Sequence, residues 1–507
     1  MSCTTILVGK LATNDGSTIV ARTEDTPNGT FGVKKLVVVQ PKDQPRRYTS
    51  IGSGLTVELP DDPLRYMCVP NADPADGVWA EAGINAANVS MSATETITSN
   101  ARVLGADPLV CYQPAVGTEG EPGYEKSVPG GLGEEDFVTV VLPYIHSARE
   151  GVRRLGDLIA EYGTSEMNGI AFGDAEEVWY METIGGHHWI ARRVPDECYV
   201  AQPNRQGIDR MDLRDALGPQ KDFMCSDDLP EWMHANQLGV TSSDLLESIH
   251  GIPVVFNPRT AFTSWTWLDS IYNNPRAWSI INAFNPYNDD AVPEAIEDML
   301  QPWCMKPELR LSVLDVNRAL SSTYEGTPYN PYGNKGTESE RHRYRPIGIN
   351  RTAECSILQI RGQAPKAVQG VQWLSYGSGP FACCLALFAG VSKVPAYLNT
   401  DAGTVSTAQL YWAERLIAAM ADCEYFENLE DISRCRQLVM SRGYEHLHKA
   451  DAIAGRPETD ESELTAVLEK FNQQLADYTQ QQVNQLLADV LHKRSLHMKN
   501  AFGASDA

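Results

Sequence analysis

Stacked β-sheets flanked by helices, an α+β architecture, are what this chain of 507 residues predicts. Three features carry the expectation. β-Prone runs and turns fill roughly the first hundred residues, a helical stretch interrupts them, and strands return before a helical end. No regular alternation of strand and helix runs along the chain, so a parallel, doubly wound sheet is not expected. The chain also opens on a hairpin: Cys3-Thr4-Thr5-Ile6-Leu7-Val8 and Thr18-Ile19-Val20-Ala21 flank the polar stretch Thr13-Asn14-Asp15-Gly16-Ser17.

The remaining elements follow in order. Leu36–Gln40 reads as a strand. In Asn88–Thr96, Val89, Met91 and Ala93 alternate with Ser90, Ser92 and Thr94, the pattern of a strand with one buried face. Residues 115–136 are rich in Gly, Pro and Glu and read as a surface loop, either a lid or an ordinary flexible connection. Asp136–Tyr162 reads as helix, with Val152, Leu155, Leu158 and Ile159 at core spacing and Gly163 as a stop. Strands follow at Gly169–Phe172, Val178–Thr183, His188–Val194 and residues 198–204. Residues 240–330 mix helices with Pro-rich loops, and residues 353–361 and 368–376 return to strands. From Ser406 the chain is mostly helical. Leu464, Val467, Leu468, Phe471, Leu475 and Tyr478, then Leu486, Leu487, Val490 and Leu491, form a face that packs on the body or on a second subunit. No internal repeat is present.

Composition bounds the function. The net charge is −24 with no long basic run, which argues against a nucleic-acid partner. The longest apolar run, Pro380–Val391, is too short to span a bilayer, so no membrane partner is expected. The first ten residues lead straight into a polar turn, without the pattern of a secretory signal. Eleven cysteines without a Cys-x-x-Cys pair suggest reduced thiols and a cytoplasmic location.

The N-terminal hairpin carries the chemistry. With its turn centred near Thr13, the position opposite Cys3 is close to residue 23, and Arg22 and Asp25 fall beside Cys3. A thiol attacks as its thiolate, and an unperturbed Cys has a pKa of about 8.5. An α-amine on the same residue, with a pKa of about 7.7–8.0, is a suitable base. Arg22 favours the thiolate by Coulomb attraction, and Asp25 can hold the amine in place. The plain alternative is a small apolar residue in a strand beside a surface ion pair. Position, hairpin and Arg-x-x-Asp spacing together favour the catalytic reading. One step must come first. Removal of Met1 leaves Ser2, which still blocks the Cys3 amine, so Ser2–Cys3 has to be cleaved. Attack of the Cys3 thiol on the Ser2 carbonyl is one route.

Other constellations are weaker. His187-His188 on a strand would point to opposite faces and make a poor ligand pair. No His-Glu-x-x-His, Gly-x-Ser-x-Gly or P-loop pattern occurs. No metal or cofactor is expected. Glu95 and Glu182 are each either a structural acid or a contact for a substrate ammonium.

The opening Cys-Thr-Thr-Ile-Leu-Val-Gly-Lys, the Asp-Gly-Ser-Thr turn and Ala-Arg-Thr-Glu-Asp resemble bacterial cysteine dipeptidases of the dipeptidase A type, which are N-terminal-nucleophile hydrolases. The likeness extends to Ala80–Asn85, Met91–Thr96, His146–Val152, Val178–Thr183, Gly186–Trp189, Tyr272–Arg276, Tyr324–Thr327 and Asn350–Cys355. The resemblance implies an αββα sandwich and hydrolysis of dipeptides. It also implies a constellation shared with bile salt hydrolases and penicillin V acylases. Cys3, Arg22 and Asp25 match its first positions, Asn204 within Ala201–Gln206 its Asn, and Arg351 is the candidate for its second Arg. Arg351 is also a candidate for a substrate carboxylate. Residues 1–400 are expected to form the hydrolase domain and residues 401–507 a helical region packed on it. Dipeptides as partners and a homo-oligomeric assembly are expected. The rivals are an amidase for another linear amide, such as an N-acyl amino acid or a bile salt, and a non-enzymatic regulator of the secernin kind.

Overall fold

The computed structural model describes residues 3–30, 32–241, 247–287, 295–456 and 460–500, without the side chains of Thr94, Glu95 and Glu461. The Met1-Ser2 leader and the Glu95 side chain thus lie outside the described residues.

The chain builds an αββα sandwich. The first sheet runs, from edge to edge, Cys304–Met305, Tyr199–Gln202, Thr4–Val8, Thr18–Asp25, Thr352–Ile360, Gly370–Tyr376 and Leu385–Phe388. The second runs Phe223–Cys225, Trp189–Arg193, Val178–Thr183, Asn168–Gly173, Ser90–Thr96, Ala82–Asn85, Tyr66–Cys68 and Val37–Val39. Every pairing among these strands is antiparallel.

The N-terminal hairpin sits at the centre of the first sheet. Its register pairs Thr4 with Thr23, Thr5 with Arg22 and Val8 with Ile19. Both strands are buried along their whole length, because sheet lies on one face and helix on the other. The turn is closed by Asp15, whose Oδ1 accepts from the Ser17 amide and hydroxyl at 3.1 and 2.6 Å. Gly16 adopts φ +76°, a left-handed conformation that glycine enters without a steric cost.

Helix Ala148–Tyr162 covers the second sheet. Ser147 caps it by accepting from the Glu150 amide at 3.2 Å, and Gly163 ends it at φ +70°. The helix expected over Asp136–Tyr162 is interrupted. Phe137–Val141 is helical, Leu142–Tyr144 forms a tighter 3-10 turn, and the main helix starts only at Ala148. Pro143 explains the break, since it lacks an N–H and its ring crowds the preceding turn.

Strand Leu385–Phe388 arises inside the apolar run that spans Pro380–Val391. It is the edge of the first sheet, and helices Tyr425–Ala454 and Glu461–Leu496 lie against it. Asn472 acts as a surrogate strand there: Oδ1 accepts from the Phe388 amide at 3.0 Å and Nδ2 donates to the Phe388 carbonyl at 3.1 Å. Leu464, Leu468, Leu475, Leu486 and Val490 are buried in this same core, so the apolar face of the last helix packs on the body. Among the described residues, no helix is long and apolar enough to cross a membrane.

Candidate active site

Cys3 heads the first strand and is fully buried. Thr5, Arg22 and Glu24 share a face of the hairpin, because Thr5 pairs with Arg22 and side chains alternate. That face looks into the second sheet. Arg22 donates Nη2 to Cys3 Sγ at 3.2 Å. Its Nη1 donates to the carbonyls of Ala93 and, at 3.2 Å, of Glu81. Glu81 Oε2 stands 2.7 Å from the same Nη1, and Glu134 Oε1 stands 3.5 Å from Nη2. Glu81 comes from the segment leading into strand Ala82–Asn85. Glu134 comes from the end of the Gly-rich stretch, which Glu135 ties down by accepting from the Ile51 and Gly52 amides at 2.9 and 2.8 Å.

Electrostatics at this face are balanced rather than purely basic. Burial opposes charge on Arg22, but Cys3, Glu81 and Glu134 outweigh it and keep the guanidinium protonated. Burial pushes the Glu81 carboxyl up against the pull of Arg22, and Glu134 and Glu24 push it further. Glu24 is also raised by burial, although Lys34 pairs with it at 2.8 Å. Behind them Glu354 is raised to about 7 by burial and by Glu24. Arg22 therefore acts on the thiol with part of its charge already compensated.

Asp25 faces the other way, three residues further along the same strand. Its Oδ2 accepts from Arg345 and, at 3.2 Å, from the Thr23 hydroxyl, and its Oδ1 accepts from the Thr352 hydroxyl at 2.5 Å. Thr23 Oγ1 in turn accepts from the Thr4 amide at 3.3 Å, so Asp25 is linked to the peptide that follows Cys3.

Asn204 lies just past strand Tyr199–Gln202, which pairs with the first strand as Thr5 to Gln202. Arg276 holds it. Nη2 of Arg276 donates to Asn204 Oδ1 at 2.9 Å and to Asn273 Oδ1 at 2.6 Å, while Nη1 donates to the Cys3 carbonyl and to Thr4 Oγ1. Asn273 Nδ2 donates to the Asn204 carbonyl at 2.9 Å. A guanidinium only donates, so the oxygen of the Asn204 amide faces Arg276 and its NH₂ is turned away. Arg276, rather than Arg351, is thus the second arginine in contact with Cys3. It was within the motif Tyr272-Asn273-Asn274-Pro275-Arg276 but had no spacing signal of its own. Arg351 lies further out, donating Nη2 to the Tyr272 hydroxyl at 2.6 Å.

Glu182 is completely buried, and its Oε1 accepts from the Gly207 and Ile208 amides. Burial lifts it to about 7 in spite of those bonds. It anchors the loop that follows Asn204, with Gln202 Nε2 donating to the Pro203 and Arg205 carbonyls from the other side. The two histidines depart from the expectation of opposite faces. They lie in the turn before strand Trp189–Arg193, and both Nδ1 atoms reach Asp107, at 3.2 and 2.8 Å. Asp107 falls to about 2: burial opposes its charge, but hydrogen bonds from both histidines outweigh it. Among the described residues, no group of three His, Cys, Asp or Glu side chains is placed to hold a metal ion.

The profile of peptidase family C69 matches residues 2–437. The chain belongs to that family. The family resemblance seen in the motifs and the sandwich fold are thereby both accounted for. This C69 peptidase is 45% identical over 547 residues to a protein named dipeptidase from Bifidobacterium longum (strain NCC 2705), covering 100% of both chains. It is 45% identical to a probable dipeptidase A of Streptococcus pyogenes serotype M18, across 100% of this chain and 98% of the relative. Dipeptidase A of Lactobacillus helveticus is 42% identical over 456 residues, or 88% of this chain and 87% of the relative.

Proposed function

We propose that this C69 peptidase hydrolyses dipeptides with Cys3 as the nucleophile, once Met1-Ser2 has been removed. The observation that carries the reading is the Arg22 Nη2 contact with Cys3 Sγ at the buried head of the first strand. The names of the relatives supply the substrate class.

In this mechanism the freed α-amine of Cys3 takes the thiol proton, and the thiolate attacks the peptide carbonyl. The Asn204 NH₂ donates to the oxyanion of the tetrahedral intermediate, a contact worth about 3 kcal/mol. The protonated α-amine passes its proton to the leaving amine as the C–N bond breaks. Water, deprotonated by the same amine, then attacks the thioester and releases the acid. Asp25, linked through Thr23 to the Thr4 amide, steadies the peptide that follows Cys3. Cleavage of Ser2–Cys3 precedes this cycle: the Cys3 thiol attacks the Ser2 carbonyl, its proton passes to the departing Cys3 nitrogen as the C–N bond breaks, and water hydrolyses the resulting Ser2 thioester, so the α-amine that acts as base exists only afterwards.

Intact-mass measurement and kinetics test this together. The active enzyme should begin at Cys3, Cys3→Ala should lose turnover while keeping its fold, and a free dipeptide should be cleaved better than its N-acetyl form. Full activity in a protein that retains Ser2, or in Cys3→Ala, removes the mechanism. An N-acetylated substrate cleaved as well as the free one points to an acyl-amidase, and no hydrolysis of any amide points to a regulator.

A further inference from the structure

Cys3 lies between two walls of different charge. On the Arg22 face, Glu81 and Glu134 crowd the guanidinium. On the other face, arginines gather around one aromatic ring. Tyr272 closes helix Trp267–Tyr272, and its ring lies 5.0 Å from the Arg276 guanidinium and 5.5 Å from that of Arg345. Its hydroxyl accepts from Arg351 Nη2 at 2.6 Å.

These arginines are held differently. Arg276 is fully buried and engaged with Cys3, Thr4, Asn204 and Asn273. Arg345 is paired with Asp25. Arg351 is only partly buried, and among the described residues no carboxylate pairs with it. A guanidinium has five N–H donors in a flat fork, and the Tyr272 hydroxyl takes one. The backbone beneath it is fixed. The Arg351 carbonyl accepts from the Thr26 amide at 3.1 Å and the Thr26 hydroxyl at 3.0 Å, directly past Asp25. The Asn350 carbonyl accepts from Arg415 at 2.6 Å, and Thr352 is bound to Asp25. The result is a cation with free donors, on a rigid base, beside the end of the strand that pairs with the one headed by Cys3. Its partner should be a small anion.

We propose that Arg351, steadied by the Tyr272 hydroxyl, reads the free C-terminal carboxylate of the dipeptide. This rests on the dipeptidase reading and adds a specificity-determining residue to it. A carboxylate accepts two parallel N–H bonds from a guanidinium, so the contact fixes direction as well as distance. The carboxylate belongs to the leaving residue. Arg351 therefore orients the leaving amine relative to the Cys3 α-amine that must protonate it, and a longer peptide presents a neutral amide at the same place.

The test compares kcat/KM for a free dipeptide and for its C-terminal amide in wild type, Arg351→Met, Arg351→Lys and Tyr272→Phe, with thermal melting to check folding. Wild type should prefer the free acid at least tenfold. Arg351→Met should lose most of that preference through a raised KM for the acid, with a much smaller change for the amide. Arg351→Lys should keep part of it, and Tyr272→Phe should weaken it severalfold with kcat nearly unchanged. Equal preference in wild type and Arg351→Met overturns the inference, as does a wild type indifferent to amidation. Failure of wild type to cleave any dipeptide, or activity in Cys3→Ala, is a different result: it removes the dipeptidase reading itself. If Arg351→Met does not fold, Arg351→Lys and Tyr272→Phe decide the question in the same way.

Discussion

Arg276 donates one nitrogen to Asn204 Oδ1 at 2.9 Å and the other to the carbonyl of Cys3. One guanidinium thus ties the proposed oxyanion donor to the residue that carries the proposed nucleophile. Asn204→Ala should lower kcat about 10²–10³-fold with KM little changed, the size expected for one lost oxyanion donor. Arg276→Lys should also lower kcat, because a single ammonium cannot replace the fork that reaches Cys3, Asn204 and Asn273. Steady-state kinetics on a free dipeptide decide this. A kcat within threefold of wild type in Asn204→Ala would leave Asn204 with a structural role only.

Gly207 offers a second way to move Asn204 without touching it. A Cβ at this position would overlap the Gln202 side-chain oxygen and lie 2.8 Å from Trp303 Cδ1. The loop that Glu182 and Gln202 pin would have to shift. Gly207→Ala should cost about 1–3 kcal/mol in stability, as overpacking does, and lower kcat more than KM. Unfolding in urea and the same kinetics measure both effects, and wild-type kcat with wild-type stability would contradict the geometry.

The Arg22 cluster should show itself in pH dependence. Arg22→Gln removes the guanidinium that stands 2.7 Å from the buried Glu81, a change that costs about 3–5 kcal/mol at neutral pH. Burial already raises Glu81, and losing Arg22 raises it further. The folded state then holds a proton that the unfolded state has released, so stability is lost as pH rises through the folded pKa. The penalty in Arg22→Gln should therefore be smaller at pH 5 than at pH 8. A penalty independent of pH would mean that the loss is one of packing.

Glu354 gives a cleaner case. Ser356 donates to its Oε2 at 2.6 Å, and Oε1 has no hydrogen-bond partner among the described residues. Burial, then Glu24, raises it from 4.5 to about 7. Its contribution is intact below pH 4.5 and falls away as pH rises to about 7, by about 3 kcal/mol in all. Glu354→Gln, which cannot ionise, should flatten the decline in stability between pH 5 and 8. Denaturant titrations of both proteins at the two pH values would show it, and parallel curves would rule it out.

Some of the site was legible in the residues. Strand periodicity and the Asp-Gly turn specify the hairpin, but both of its faces are buried, so the pattern alone leaves the register open by one residue: Thr4 pairs with Thr23, and Glu24 stands opposite Cys3. That register brings Arg22 to Cys3. Glu81, Glu134, Arg276 and Arg345 left no comparable mark. Each comes from a different segment, and each is a charged residue that in isolation reads as exposed surface. Glu182 shows the converse: a candidate for a substrate ammonium by type, it is taken up by two loop amides.

What the sequence determined by itself is local and periodic: the hairpin, the apolar faces of the helices, the stop at Gly163, and a cysteine at the head of a strand. What the tertiary structure decided is which charges meet. Closing the second sheet over the hairpin places Glu81 and Glu134 on Arg22, and docking the Tyr272–Arg276 segment against the first strand sets Asn204 and brings the Tyr272 hydroxyl to Arg351. The physical reason is range. Backbone periodicity acts over a few residues, whereas buried charges must find partners wherever the fold brings them, because an unpaired charge in the core costs several kcal/mol.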